Sequence, residues 1–378
     1  MKIINIVNKQ VCDKYLSELW VSRKLSIAEY CIWDINNIDN SGDIIESPKG
    51  RIKTLEEIVT INTESELREK IKKEKGQSVF FFLTSVEGQL RNRVVQAMGS
   101  CGASYCTKRL SGRPLVKDGP NLLDDVYFNL RKLTRLASSA VKSVIRYNPV
   151  FSFYATRRYR LSTREDFFTN NIHFLHNHNF DRFISHESKK TDPKSAVYVE
   201  QGLPSHKQIY NVSDKQRGQF WNNMRSVFEH FGRKGFDVTL CPHPNSPPKR
   251  NQWLSQFVTV EENTLDAISQ ASIVIGHFSS ALDFAVLYGK PLCIVSMPLF
   301  ESWCNGNKTV HVNTKRMAYN IGRKISIVGN NSVRRISVGI DKCKYREYIE
   351  KFISSNTANK KYSWRMIEDA LKLYLQKK

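Results

Sequence analysis

Glu200, His243, Ser279 and Ser280 are the residues whose types and placement suit chemistry. Each follows a short apolar run that reads as a buried strand. After Ser195–Val199 comes Glu200-Gln201-Gly202-Leu203-Pro204-Ser205-His206. After Phe236–Leu240 comes Cys241-Pro242-His243-Pro244-Asn245, and after Ile273–Ile275 comes Gly276-His277-Phe278-Ser279-Ser280. If these strands are parallel, all three loops lie on one edge of a sheet, where ligands bind. They then supply a carboxylate, an imidazole and a phosphate cradle to one place. A glycosyl transfer needs those parts: a base for the attacking hydroxyl, a donor to the departing phosphate, and backbone N–H groups around it. Each part has a plainer use. Ser279 or Ser280 can serve only as an N-cap, and Glu200 as a surface acid. Pro242 and Pro244 restrict the His243 loop and aim the ring. His206 and His277 are further imidazoles, more structural in character, with His277 placed on the donor side.

The elements that position these residues alternate. Ala281, Leu282, Ala285 and Val286 recur at helical spacing, so Ser279–Tyr288 reads as a helix ended by Gly289 and Pro291. Leu292–Val295 is the next strand. Upstream, Ser213 starts a helix that carries Phe220, Met224, Val227, Phe228 and Phe231 on one face and ends at Gly232. Trp253–Val260 holds a strand, and Thr264–Ser269 is a short helix capped by Asn263 or Thr264. This pattern implies a parallel sheet covered on both faces. The first half is less regular. Met1–Val7, Cys31–Ile35 and Gln77–Thr84 read as strands, Glu64–Lys75 and Gln89–Met98 as helices. Leu122–Val144 reads as a helix with a basic outer face. His173, His176, His178 and His186 cluster in Asn171–His186, which reads as a loop or strand without a metal-ligand spacing. Tyr345–Ile353 and Ser363–Leu375 read as closing helices.

The formal net charge of +22 asks for an anionic partner. Thirteen Lys or Arg and only three acids lie between Lys108 and Arg164. Arg157, Arg158 and Arg160 are the expected acceptor or membrane-facing cations there. A solvated basic face accounts for the same cluster. No nucleic-acid motif accompanies it, so nucleic acid is not the expected partner. No apolar run approaches the roughly 20 residues that span a bilayer, and Met1–Val7 is too short for a signal core. The expected place is the cytoplasm, with peripheral contact at the inner face of its membrane. The eight Cys are scattered without a CxxC pair, which argues for reduced thiols and no metal site.

Over about Ser195–Pro298 the chain resembles bacterial surface-polysaccharide glycosyltransferases of the GT-B type, especially the sialyltransferase and polysialyltransferase group. That group shows an acidic-acidic-Gly motif, a His-Pro motif and a Ser-Ser or Ser-Thr motif in this order. Here they look like Glu200-Gln201-Gly202, His243-Pro244 and Ser279-Ser280, with Gln201 departing from the acidic pair. The resemblance implies Glu200 as general base, and His243, Ser279 and Ser280 at the phosphate of a CMP-linked nonulosonic acid such as sialic acid or Kdo. It also implies an inverting transfer. No Asp-x-Asp stands in the second half, so no metal or other cofactor is expected.

The expected fold is α/β and GT-B-like, with two Rossmann-like doubly wound domains facing across a cleft. Residues 1–190 would form a basic acceptor-side domain, 191–355 the nucleotide-sugar domain, and 356–378 a helix packing back on the first. The expected partners are a nucleotide-sugar donor, an anionic glycan or lipid-linked acceptor, and an anionic membrane surface. The expected work is capsule, O-antigen or lipooligosaccharide synthesis. A UDP-sugar or CDP-polyol transferase on the same fold is the first alternative. A non-catalytic basic protein that binds glycan or nucleic acid is the second.

Overall fold

The chain begins with a buried strand, β1 (Lys2–Val7), that becomes the centre of a parallel sheet. The computed structural model describes residues 1–8, 29–38, 57–76, 78–84, 86, 88–109, 149–156, 169, 171–203, 212–243, 259–260, 263–302 and 309–377. The expected helix over Leu122–Val144, the cations Arg157, Arg158 and Arg160, and Pro244 and His206 lie outside the described residues, as does most of Trp253–Val260.

In the first domain β1 is followed by β2 (Glu29–Asp34), β3 (Glu57–Thr60), α1 (Glu64–Glu74), β4 (Val79–Thr84), α2 (Gly88–Ser100), β5 (Tyr105–Arg109), β6 (Phe151–Tyr154) and β7 (Ile172–Phe174). The strand order is β3-β2-β1-β4-β5-β6-β7, with every pairing parallel. Strand side chains alternate between faces, and here both faces are apolar. Ile4, Ile6, Phe81 and Leu83 meet Leu67 and Ile71 of α1 and Leu90, Val94 and Met98 of α2. Ile3, Phe80, Phe82, Phe151 and Phe153 point the other way. That is why the sequence of β4 reads as an unbroken apolar run. The α1 start is fixed locally: Thr63 Oγ1 accepts the Glu66 N–H (3.1 Å), and Glu66 Oε2 accepts the Asn62 N–H (2.9 Å).

Next come α3 (His178–Ile184), β8 (Ser195–Val199), α4 (Asp214–Gly232), β9 (Asp237–Cys241), β10 (Thr259–Val260), α5 (Thr264–Gln270), β11 (Ile273–Gly276), α6 (Leu282–Leu287), β12 (Leu292–Ser296), α7 (Leu299–Ser302), α8 (Thr309–Asn320), β13 (Ser326–Gly329), β14 (Ser332–Arg335) and α9 (Lys342–Tyr348), then a π-turn at Ile349–Ile353. The order in this second sheet is β10-β9-β8-β11-β12-β13-β14, parallel except for the antiparallel edge strand β14. Both sheets thus carry the 3-2-1-4-5-6 order of Rossmann domains. The α4 start is the expected Ser213, in a full capping box with Gln216. Its expected apolar face, Phe220 to Phe231, is buried.

The last helix, α10 (Ser363–Gln376), returns to the first sheet. Its Trp364, Ile367, Ala370 and Leu371 cover Ile3, Phe80 and Phe82. By contacts, described residues 1–109, 149–178 and 354–377 form one unit, and 179–302 with 309–353 the other. The α/β class and two doubly wound, Rossmann-like domains are present. Among the described residues no helix is long and apolar enough to cross a membrane.

Two local expectations need correction. The helix expected over Ser279–Tyr288 is only Leu282–Leu287. Its approach is a tight turn instead, because the Leu282 and Asp283 N–H groups bond three residues back, to Ser279 and Ser280 C=O (both 3.1 Å). Asn171–His186 is not one loop or strand but β7 followed by α3. The helix forms because Phe180 and Phe183 lie on one side, with rings 6.0 Å apart and Phe183 edge-on to Tyr288 (4.9 Å).

Candidate functional site

At the carboxyl edge of the second sheet the chain turns outward in opposite directions after β8 and β11, which are adjacent. Such a switch point is where open α/β sheets bind ligands. The β8 ladder runs one residue past the strand, with the Glu200 N–H donating to Cys241 C=O at 2.9 Å. Glu200 is 4% exposed. Its Oε2 accepts the backbone N–H of His243 at 3.1 Å, which ties the loop after β9 to the end of β8.

Gly202 completes that join. Its φ is +65°, and a Cβ there would lie 3.1 Å from Cγ and Nδ1 of His243. Only glycine both takes this left-handed backbone without strain and leaves room for the imidazole. Gln201 bridges the other way: its Oε1 accepts the Phe278 N–H at 3.1 Å. The residue that departs from the acidic pair therefore links the two loops of the switch point. Two contacts thus join the three loops, Glu200 to His243 and Gln201 to Phe278.

Ser279 is half-buried and Ser280 exposed. Ser279 Oγ accepts the Ala281 N–H at 3.3 Å. Neither hydroxyl donates to an acceptor among the described residues, so both retain an O–H for a ligand. The helix behind them has six residues and no side-chain cap. The expected cradle is therefore a hydroxyl-bearing turn, not the end of a long helix dipole.

His277 is the imidazole expected on the donor side. It is completely buried. Nδ1 donates to Val295 C=O (2.7 Å), so Nε2 accepts from the Tyr198 hydroxyl (3.2 Å). Phe220 and Phe300 pack against the ring at 5.9 and 5.2 Å. Burial holds its pKa down at about 4, and burial, with the Glu200 charge second, pushes the Tyr198 hydroxyl up. The pair holds β8, β11 and β12 level beneath the site. The unfolded chain protonates His277 below its ordinary 6.5 while the fold keeps it neutral. Stability is therefore full above pH 6.5 and falls between 6.5 and about 4. Between pH 6.5 and 5 this histidine is expected to cost about 2 kcal/mol. Urea unfolding at the two pH values, compared with His277→Gln, measures it; an unchanged pH slope in the variant refutes it.

The four clustered histidines do not converge. His173 packs on Phe151 and Phe153. His176 is buried, with Nδ1 at 2.7 Å from Ser354 Oγ. His186 bonds Asp266 (2.5 Å) and Tyr288 (2.7 Å). No metal-holding group of His, Cys, Asp and Glu occurs among the described residues. Six described cysteines are free thiols, and burial pushes those of Cys106 and Cys293 up.

One edge residue escaped the sequence reading. His311, near the start of α8, has Nδ1 at 3.4 Å from Ser296 Oγ at the end of β12. The signal was its place after the next parallel strand along the same edge.

No protein-family model matches the chain, and no curated protein does. Solved structures do. One is described as a UDP-N-acetylglucosamine 2-epimerase from Listeria monocytogenes (10% identity, 100% of this chain and 97% of that one, TM-score 0.47). Another is MurG of Acinetobacter baumannii (10%, 98% and 94%, 0.44), and a third a variant of the wall teichoic acid polymerase TagF (10%, 100% and 89%, 0.47). Likeness at this distance decides nothing about activity.

Proposed function

We propose that this protein is a glycosyltransferase whose second domain binds a nucleotide-activated sugar at the β8/β11 switch point. The observation that carries this reading is the junction of a buried carboxylate, Glu200, with the proline-led His243 loop, next to a turn with two hydroxyls that donate to no described acceptor. An acceptor hydroxyl attacks the anomeric carbon, the sugar–phosphate bond breaks, and the nucleotide leaves with the bonding electrons. Glu200 takes the acceptor proton. His243 and the Ser279 and Ser280 hydroxyls donate to the departing phosphate. Gly202 keeps His243 in place. Phosphate stabilisation is thereby assigned to hydrogen-bond donors of the chain, with no resident metal.

In its finer form the reading is a CMP-linked nonulosonic acid passed to a glycan of the cell surface, with inversion. The motif order Glu200-Gln201-Gly202, His243-Pro244, Ser279-Ser280 supports it. The net charge of +22 supports an anionic glycan or lipid-linked acceptor at a membrane surface.

Thermal unfolding with CMP, CDP, UDP and GDP tests the reading. A nucleotide at 100 times its Kd stabilises by about 2.7 kcal/mol. CMP alone is expected to raise Tm, and Ser279→Ala/Ser280→Ala to cancel the rise. A response to UDP or CDP instead moves the donor to those classes. No response to any of the four overturns the nucleotide site and leaves a non-catalytic binding protein.

A further inference from the structure

Asp283 is one residue past the start of α6 and 2% exposed, and the chemistry above does not use it. Its carboxylate is nonetheless fully engaged. Oδ2 accepts from Asn179 Nδ2 at 2.9 Å, and Oδ1 accepts from the Tyr348 hydroxyl at 2.9 Å. The same Asn179 amide nitrogen also donates to the Ser280 C=O at 2.8 Å. That carbonyl already accepts the Asp283 N–H at 3.1 Å. The Ser280–Ala281 peptide is therefore held from both sides, and the Ala281 N–H is the group that bonds Ser279 Oγ. The direction of the Ser279 hydroxyl thus depends on a clamp whose far parts come from distant sequence.

Asn179 is the first described residue of the second unit, and Tyr348 lies close before its last residue, Ile353. Tyr348 is itself buried, its ring 4.9 Å from Phe352 in the π-turn. The turn is thus clamped from both ends of the 179–353 segment of this unit.

From this we infer that Asp283 is a positioning residue for the Ser279–Ser280 turn, and that Asn179 and Tyr348 set through it the conformation in which the turn takes a nucleotide's phosphate. The inference rests on the nucleotide reading above. An Asp283 that only fastened α6 would need its two hydrogen bonds but not the Asn179 bond to Ser280.

The swap Asn179→Asp/Asp283→Asn separates these roles. In the swapped protein the amide at position 283 donates to the carboxylate at position 179 and still accepts from the Tyr348 hydroxyl. The fastening bonds therefore survive, with donor and acceptor reversed. A carboxylate at position 179 cannot donate to the Ser280 carbonyl. The full-length swap is expected to unfold within a few degrees of the wild type while binding CMP about tenfold more weakly by titration calorimetry. If the wild type answers to CDP or UDP, that nucleotide is the probe. Tyr348→Phe, which removes one hydroxyl, is expected to weaken binding about threefold. Wild-type affinity in both variants overturns the inference and leaves the nucleotide reading standing. A wild type that binds none of these nucleotides removes that reading and this inference together. Should the swap fail to fold, Tyr348→Phe decides alone.

Discussion

Glu200→Gln is expected to lower the turnover of donor about 10²- to 10⁴-fold, the range for loss of a general base, while changing nucleotide affinity by no more than about threefold. The amide keeps the shape of the carboxylate and one oxygen for the His243 N–H, so the loop junction survives. The negative charge is lost, and with it the capacity to take a proton. Glu200→Ala is the harsher control. It leaves the His243 N–H without its acceptor, which for a buried group costs about 1–3 kcal/mol. It should therefore lower Tm and weaken nucleotide binding as well. Release of free nucleotide from the donor identified by thermal shift reads the rate without knowledge of the acceptor. A Glu200→Gln protein within tenfold of wild type would remove Glu200 as the base and leave it a loop tie.

Removal of residues 354–378 is expected to abolish folding of the first domain. The deleted segment packs against one face of its sheet. Trp364, Ile367, Ala370 and Leu371 pack on Ile3, Phe80, Phe82, Phe151 and Phe153. Tyr374 meets Phe80 and Phe151 edge-on at 6.1 and 5.1 Å. The same segment supplies Ser354, the partner of the buried His176 Nδ1, and Ser363, whose Oγ accepts the His176 N–H and donates to its C=O. Without it an aromatic face is open to water and His176 is left buried with unmet bonds. Trp364→Ala keeps the chain intact and should cost about 3–5 kcal/mol, as large core truncations do. Near-ultraviolet circular dichroism and urea unfolding measure both. A soluble residue 1–353 protein with native near-ultraviolet signal would show that α10 is dispensable to this sheet.

Most elements of the second domain were legible because their signals are local. Ser213 with Gln216, Asn263 before Thr264, and Gly289 after α6 mark helix ends through bonds within a few residues. The runs in β8, β11 and β12 are apolar on both faces because helices cover both. The first domain was harder to read, since its second layer includes α10, far along the chain. The α6 boundary was misplaced because Ser279 and Ser280 close a three-residue turn that apolar spacing does not reveal.

The sequence by itself determined which strand ends carry polar groups, and in what order: Glu200, His243, then Ser279 and Ser280. It also determined the parallel α/β class, because alternating strand and helix periods admit few other layers. Tertiary structure alone decided which of these residues are buried and which keep a hydrogen-bond donor to offer. His277 and Ser279 are two residues apart, yet one is sealed by Val295, Tyr198 and Phe300 and the other keeps its hydroxyl proton to give. Gln201, which stands where the motif has a second acid, accepts the Phe278 N–H. The Tyr198–His277 and Gln201–Phe278 contacts join positions 79 and 77 residues apart, whose separation in space is set by the pairing of β8 with β11, and no spacing along the chain encodes that distance.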